Sequence, residues 1–128
     1  MILDSSAVVA LFLQEPGHEE LRRKLVEATV TVISAATLVE TAIVLSARMQ
    51  KDARGSLARF IEENQLIVTP FTEAHYGIAV TAWLKYGKGR HPAALNFGDC
   101  LSYATAKAAD MPLLCVGNDF SQTDLPLA

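Results

Sequence analysis

The sequence predicts an α/β fold in which helices pack on a parallel sheet. Three observations carry that reading. Short apolar runs alternate from end to end with longer segments of helical periodicity, the pattern that builds βα units with right-handed crossovers. Proline and glycine fall singly between those segments, with no linker, repeat or low-complexity tract, so residues 1–128 read as a single domain. Hydrophobic residues make up 51% of the 128, enough for a core that needs no disulfide or metal staple.

The elements follow in order. Ile2-Leu3 reads as a short buried strand ahead of Asp4, and Ser5 to Leu13 as a helix stopped by Glu15-Pro16-Gly17. Leu21 and Leu25, set among Glu19, Glu20, Arg22, Arg23 and Lys24, mark an amphipathic second helix with a solvated face. The β-branched run Val30-Thr31-Val32-Ile33 is the second strand. Ala35 to about Met49 is helical and apolar over most of its surface, and Ala53 to Glu63 forms another helix with Leu57, Phe60 and Ile61 inward. Leu66-Ile67-Val68 is a third strand ended by Pro70, and Thr72-Glu73-Ala74-His75 opens a helix that runs to about Tyr86. Gly87 to Phe97 is the longest irregular stretch. Gly98 to Asp110 is an Ala-rich helix, Pro112 to Val116 a fourth strand of parallel type, and a polar tail closes the chain.

Composition narrows the function. Eleven Lys and Arg against fourteen Asp and Glu give a formal charge of −3, which disfavours a basic module that coats nucleic-acid backbones. Cys100 and Cys115 stand in no Cys-x-x-Cys or Cys/His grouping, so reduced thiols and a cytoplasmic location are expected rather than a zinc site or disulfide scaffold. The start lacks a basic n-region, and the longest apolar run, Ala7 to Leu13, is too short to span a bilayer. Neither a signal peptide nor a membrane anchor is expected.

Four carboxylates stand where a core would not choose them. Asp4 follows the first strand, Glu40 lies early in the helix after the second, Asp99 begins the helix before the fourth, and Asp119 comes just after the fourth. In an open parallel sheet, strand ends and the helix starts after them share the ligand-binding edge. Asp99 joins them only if its helix leans its N-terminus toward that edge. Each acid also has a bland role: Asp4 as an N-cap, Asp99 as a first-turn acid complementing the helix dipole, Asp119 as a turn residue. Glu40 is harder to dismiss, because Ala36, Thr37, Ile43 and Val44 flank it on the helix surface. The only Lys or Arg on the segments carrying these acids, Arg48 and Lys107, lie about two turns further on. If the four converge, like-charge repulsion calls for a divalent cation. An oxygen-only set selects Mg²⁺ or Mn²⁺, and such sites activate water and act on phosphates. A phospho-receiver signalling domain is the competing reading from another class. It wants a second acid after the first strand, an Asp after a central one and a late Lys, where this chain has Ser5-Ser6, Thr69-Pro70 and Val116-Gly117-Asn118.

Met1-Ile-Leu-Asp4-Ser-Ser-Ala7, Ser34-Ala-Ala-Thr-Leu-Val-Glu40, Asn96-Phe-Gly-Asp99-Cys-Leu-Ser-Tyr-Ala104 and Gly117-Asn-Asp119-Phe-Ser-Gln-Thr-Asp124 together resemble PIN-domain ribonucleases, specifically the VapC-type toxins of toxin–antitoxin pairs. The resemblance spans essentially the whole chain. It implies a three-layer PIN-like domain with a central parallel sheet of four to five strands flanked by helices. It also implies a cytoplasmic Mg²⁺- or Mn²⁺-dependent endoribonuclease that leaves a 5′-phosphate and a 3′-hydroxyl. Such a toxin is usually a homodimer, held inactive by a cognate VapB-type antitoxin and meeting operator DNA only through that antitoxin. Asp4, Glu40, Asp99 and Asp119 match the family's catalytic metal-binding acids, Ser6 matches a small polar position that orients the first of them, and Asn118 stands where it can help position a water. Cys115 and Gly117 replace the commoner Thr and Asp of the last motif. A catalytically weak PIN-like RNA-binding or regulatory module is the alternative within the family.

Substrate charge points to Lys85, Lys88, Arg90 and His91, just ahead of Asp99, as candidate RNA contacts in a flexible rim, against an ordinary solvated loop. Tyr86 reads as closing a helix end rather than stacking a base, and Trp83 as a core or interface anchor. His18 and His75 read as structural or exposed. Without the four acids the remaining formal charge is +1, so the acidity is largely that of the proposed site.

Overall fold

Four strands, β1 (Ile2–Leu3), β2 (Val32–Ser34), β3 (Ile67–Thr69) and β4 (Leu113–Leu114), lie in the order β3-β2-β1-β4, every neighbouring pair parallel. The computed structural model describes residues 1–128. Between β1 and β2 run α1 (Ser5–Phe12) and α2 (His18–Glu27). Next come α3 (Ala35–Met49) and α4 (Arg54–Glu63), then α5 (Glu73–Tyr86) and α6 (Phe97–Ala109) between β3 and β4. A short 3₁₀ turn, Phe120–Gln122, follows the last strand.

The strands explain the layering. Alternate residues of a strand face opposite sides, so Leu3 and Leu114 enter one core with Val8, Leu21, Leu45 and Leu57. Ile2 and Leu113 enter a second core with Ala82, Tyr103 and Phe120. Helices α1–α4 cover one face and α5 and α6 the other, the arrangement a wholly parallel sheet requires. Pairing shifts some elements from their sequence-based bounds. Val32 is the residue that pairs with Ile2, so the second strand moves on to Ser34, while the Val30 carbonyl accepts from the Met1 amine at 2.7 Å.

Two segments are more ordered than the sequence suggests. Gly87 to Phe97 is not a flexible rim. Gly87 bridges Leu95, with Lys88 N–H donating to the Leu95 carbonyl at 3.0 Å and Leu95 N–H to that of Tyr86 at 2.9 Å. The tail is apolar at alternate positions: Leu125 is buried and Leu127 pairs with Leu113 in parallel, a single-bridge fifth position beside β4.

Connectivity fixes where a ligand edge falls. From β1 the chain winds outward through β2 to β3, then returns to β4 on the other side of β1. The strand order therefore reverses between β1 and β4, and the crevice beyond their carboxyl ends is the topological switch point.

Candidate active site

Asp4 stands at that switch point. Its backbone N–H donates to the Leu114 carbonyl at 3.0 Å, and it caps α1, its Oδ2 accepting from Ser6 N–H at 3.0 Å. The capping bond and the place at the switch point thus share one geometry. The side chain is only 3% exposed, so its carboxylate needs donors. Ser6 Oγ supplies one to Oδ2 at 2.5 Å and Ser102 Oγ another to Oδ1 at 2.6 Å. Ser6 Oγ in turn accepts from Val116 N–H at 3.0 Å, which ties α1 to the segment leaving β4.

Asp99 is the third residue of α6 and closes a capping box with Asn96. Asn96 N–H donates to Asp99 Oδ2 at 3.0 Å, and Asp99 N–H to Asn96 Oδ1 at 2.9 Å. Its carboxyl is pushed up to about 6, first by burial and then by the charges of Asp4, Asp119 and Glu40, against the pull of the Asn96 amide. The charges of the other three sequence-predicted acids therefore reach Asp99. Asp119 is exposed before the 3₁₀ turn, with no side-chain capping bond.

Glu40 reaches the same place from α3. Gly98 lies in the first turn of α6, and a Cβ there would stand 2.6 Å from Glu40 Cδ and 2.8 Å from Oε1. The bare glycine is the seat of that carboxylate, beside the positive end of the α6 dipole. Glu40 makes no hydrogen bond or ion pair, and Lys107 is engaged by Asp124 at 2.7 Å. No internal cation answers these charges.

The donor set suits a hard divalent cation. All four groups are carboxylates, and the cradle against Gly98 is filled by the Glu40 side chain from α3. As they stand, no three of them draw close enough to share one ion. Cys115 belongs to the same surroundings: burial foremost, then the charges of Asp4, Asp99 and Asp119, push its thiol up to about 11. Gly117 has φ +93° with open space around it. Its departure from the commoner Asp thus coincides with a left-handed backbone that an L side chain adopts only with strain.

Other candidates fall outside this cluster. Ser6 hydrogen-bonds to Asp4, whereas Asn118 makes a turn bond, its carbonyl accepting from Ser121 Oγ at 2.7 Å. Lys85 Nζ lies 5.0 Å over the Tyr86 ring and the Arg90 guanidinium 4.5 Å over that of Trp83. His91 Nδ1 accepts from Ala93 N–H at 3.0 Å, and Lys88 is exposed. None of these four bonds to the acids. Tyr86 is buried, as a helix-closing role requires. His75 caps its own helix, accepting from Thr72 N–H at 2.9 Å. Trp83 is 41% exposed and lines an apolar groove of about 700 Å³ between α3, α5 and α6, with Val39, Tyr76, Val80, Phe97 and Leu101. A smaller apolar hollow shares Val39, Phe97 and Leu101 and ends on Glu40.

Sequence reasoning passed over Gly98, Thr37 and Ser102. A signal existed for each. Gly98 interrupts a helical pattern where glycine needs a packing reason. Thr37 and Ser102 stand one turn from Glu40 and Asp99, on the same helix faces.

Fold and acid cluster together define a class, and the chain is a member of the PIN-domain family, whose model matches residues 1–125. Within that family its relatives are VapC proteins. It is 52% identical to Ribonuclease VapC36 of Mycobacterium tuberculosis over 98% of this chain and 91% of that one. It is 40% identical to Ribonuclease VapC28 of the same organism over 100% and 97%. Its fold matches that of the M. tuberculosis VapC20 crystal structure, described as a sarcin-ricin loop cleaving toxin, with a TM-score of 0.80 at 22% identity over 99% and 97% of the two chains. It also matches a chain in the structure of VapBC2 from Rickettsia felis bound to a promoter DNA fragment, with a TM-score of 0.72 at 21% identity over 99% and 96%. No helix is long and apolar enough to cross a membrane.

Proposed function

We propose that this chain is a divalent-cation-dependent endoribonuclease, the cytoplasmic toxin of a VapBC-type pair, acting as a single PIN-like domain and neutralised by a cognate VapB-type antitoxin. The observation that carries the reading is geometric: Asp4 is held at the switch point by Ser6 and Ser102, and Glu40 is seated against Gly98 in the first turn of the helix that carries Asp99, with no internal cation to answer them. The names of relatives at 52% and 40% identity support ribonuclease activity. The antitoxin is supported by fold neighbours solved as toxin–antitoxin assemblies, and operator DNA would be met only through that antitoxin.

Asp4, Glu40, Asp99 and Asp119 would hold Mg²⁺ or Mn²⁺. When bound, the ion supplies a nucleophile at neutral pH and neutralises charge developing on the phosphoryl oxygens. Asp4, fixed by its hydrogen bonds, needs little ordering on substrate arrival. Glu40, seated on Gly98, closes the site from the α3 side. Water oxygen joins phosphorus and the bond to the 3′-oxygen breaks, leaving a 5′-phosphate and a 3′-hydroxyl. Lys88 and Arg90, with Lys85 and His91 nearby in sequence, meet the substrate's charge from the pinned loop. Asn118, next to Asp119 in the sequence, would help position a water. The chain would pair as a homodimer. Sedimentation equilibrium then returns twice the 13.8 kDa chain mass, and a monomer refutes the dimer.

Purified protein is expected to cleave RNA with Mg²⁺ or Mn²⁺ and to stop on addition of EDTA. Because the ion competes with the proton on Asp99, its apparent affinity weakens below pH 6, by up to about tenfold per pH unit. Ion binding without cleavage would favour the catalytically weak RNA-binding module instead. Replacing Lys88 and Arg90 by Ala is expected to weaken cleavage several-fold and flatten its salt dependence. An unchanged salt slope returns the loop to a purely structural role.

A further inference from the structure

We infer that Ser102 is a positioning residue for the reaction: its hydroxyl, backed by Thr37, leaves Asp4 a single open acceptor site and aims it at the cation. The inference rests on the metal-dependent reading above. It comes from counting protons. A serine hydroxyl has one to give, and Ser102 gives it to Asp4 Oδ1 at 2.6 Å. The oxygen of Ser102 is then the acceptor in its 3.4 Å approach to Thr37 Oγ1. The relay runs one way, from Thr37 to Ser102 to Asp4. A second relay reaches the other oxygen, Val116 N–H donating to Ser6 Oγ at 3.0 Å and Ser6 Oγ to Asp4 Oδ2 at 2.5 Å. Ser6 N–H adds a further bond to Oδ2 at 3.0 Å.

A carboxylate offers about four acceptor sites, two on each oxygen. Both on Oδ2 are taken and one on Oδ1 is taken, so one remains, on Oδ1. Its direction is set by where Ser102 sits. Ser102 is 0% exposed and Thr37 1%, so water replaces neither. The pair also braces the frame. Thr37 lies one turn before Glu40 in α3, and Ser102 one turn after Asp99 in α6. One buried hydroxyl, through its two contacts, thus registers three acid-bearing segments against each other, and an alanine of better helix propensity would forfeit both.

The test compares Ser102→Ala, Ser102→Thr and Thr37→Val with the wild type in two measurements: Mn²⁺ affinity, from the spin-resonance signal of free ion without RNA, and melting temperature in EDTA. Ser102→Ala is expected to weaken Mn²⁺ binding about tenfold and raise the Mn²⁺ required for half-maximal cleavage equally, with kcat at saturating ion falling less. Ser102→Thr, which keeps the hydroxyl, restores most of the affinity, and Thr37→Val shifts it less than Ser102→Ala. A purely structural Ser102 would lower melting in EDTA while Mn²⁺ affinity stays within twofold, and that result overturns the inference. Should Ser102→Ala fail to fold, Ser102→Cys, similar in size and a poor donor, makes the same comparison. Wild-type protein that binds no Mn²⁺ overturns the nuclease reading itself, an outcome distinct from failure of the Ser102 variants alone.

Discussion

Replacing Asp99 with Asn lowers RNA cleavage by about three orders of magnitude or more and raises the stability of the ion-free protein at neutral pH. Both effects have one origin. Asp99 is an acid whose folded-state value, about 6, lies above its ordinary 3.8, so the folded chain holds that proton more tightly than the unfolded chain does. Below about pH 4 both states are protonated and nothing is lost. As pH rises from 4 to 6 the folded state alone keeps the proton, stability falls, and the loss is complete above 6. Since Asp99 is only partly buried, solvent screening reduces the loss to about 1–2 kcal/mol. Asn keeps the size of the side chain and the oxygen that accepts from Asn96 N–H, while removing the repelled charge. Thermal melts in EDTA should show the variant several degrees above wild type at pH 7 and level with it at pH 4. Mn²⁺ should raise the melting point of wild type far more than that of the variant. A variant that cleaves as well as wild type removes Asp99 from the site, and one less stable at every pH removes the electrostatic account.

The same residue marks how far the sequence could be read. Alternation of strands and helices was legible because each element carries its own period, and Asp4 and Asp99 stood out because helix starts have local signatures. Both capping geometries are present, and a carboxylate at a helix start can accept from its own turn and still face a crevice. The register of the second strand was not legible. Val30 and Val32 are equally β-prone, and only pairing with Ile2 chooses Val32. The tail was misjudged for a similar reason: Leu125 and Leu127 acquire meaning only beside β4, where Leu127 bridges Leu113. Ser102 and Thr37, 65 residues apart, meet through the order of the sheet, which no local pattern encodes. Gly98 is the sharpest case, because what explains it is a side chain from another helix.

Replacing Gly98 with Ala separates function from stability more cleanly than any change to the acids. The added methyl would sit within 3 Å of Glu40 Cδ and Oε1, nearer than carbon atoms pack. The obstructing group is the far end of a flexible side chain, so it is Glu40 that gives way, not the backbone. Gly98 itself has ordinary helical φ, and alanine in a helix gains up to about 1 kcal/mol over glycine. The variant is therefore expected to melt at or slightly above the wild-type temperature in EDTA. Its Glu40 carboxylate, displaced by an ångström or more from the α6 N-terminus, no longer faces Asp99, and misplacement on that scale costs about a hundredfold in rate. Shortening the acid offers the cross-check. Glu40→Asp alone withdraws the carboxylate and should also be slow, but combined with Gly98→Ala it clears the methyl, so the two losses should combine less than additively. Full activity in Gly98→Ala would show that the seat of Glu40 against α6 is irrelevant to cleavage. A large fall in melting temperature would show instead that the close approach is a packing constraint, with the acid merely resting in it.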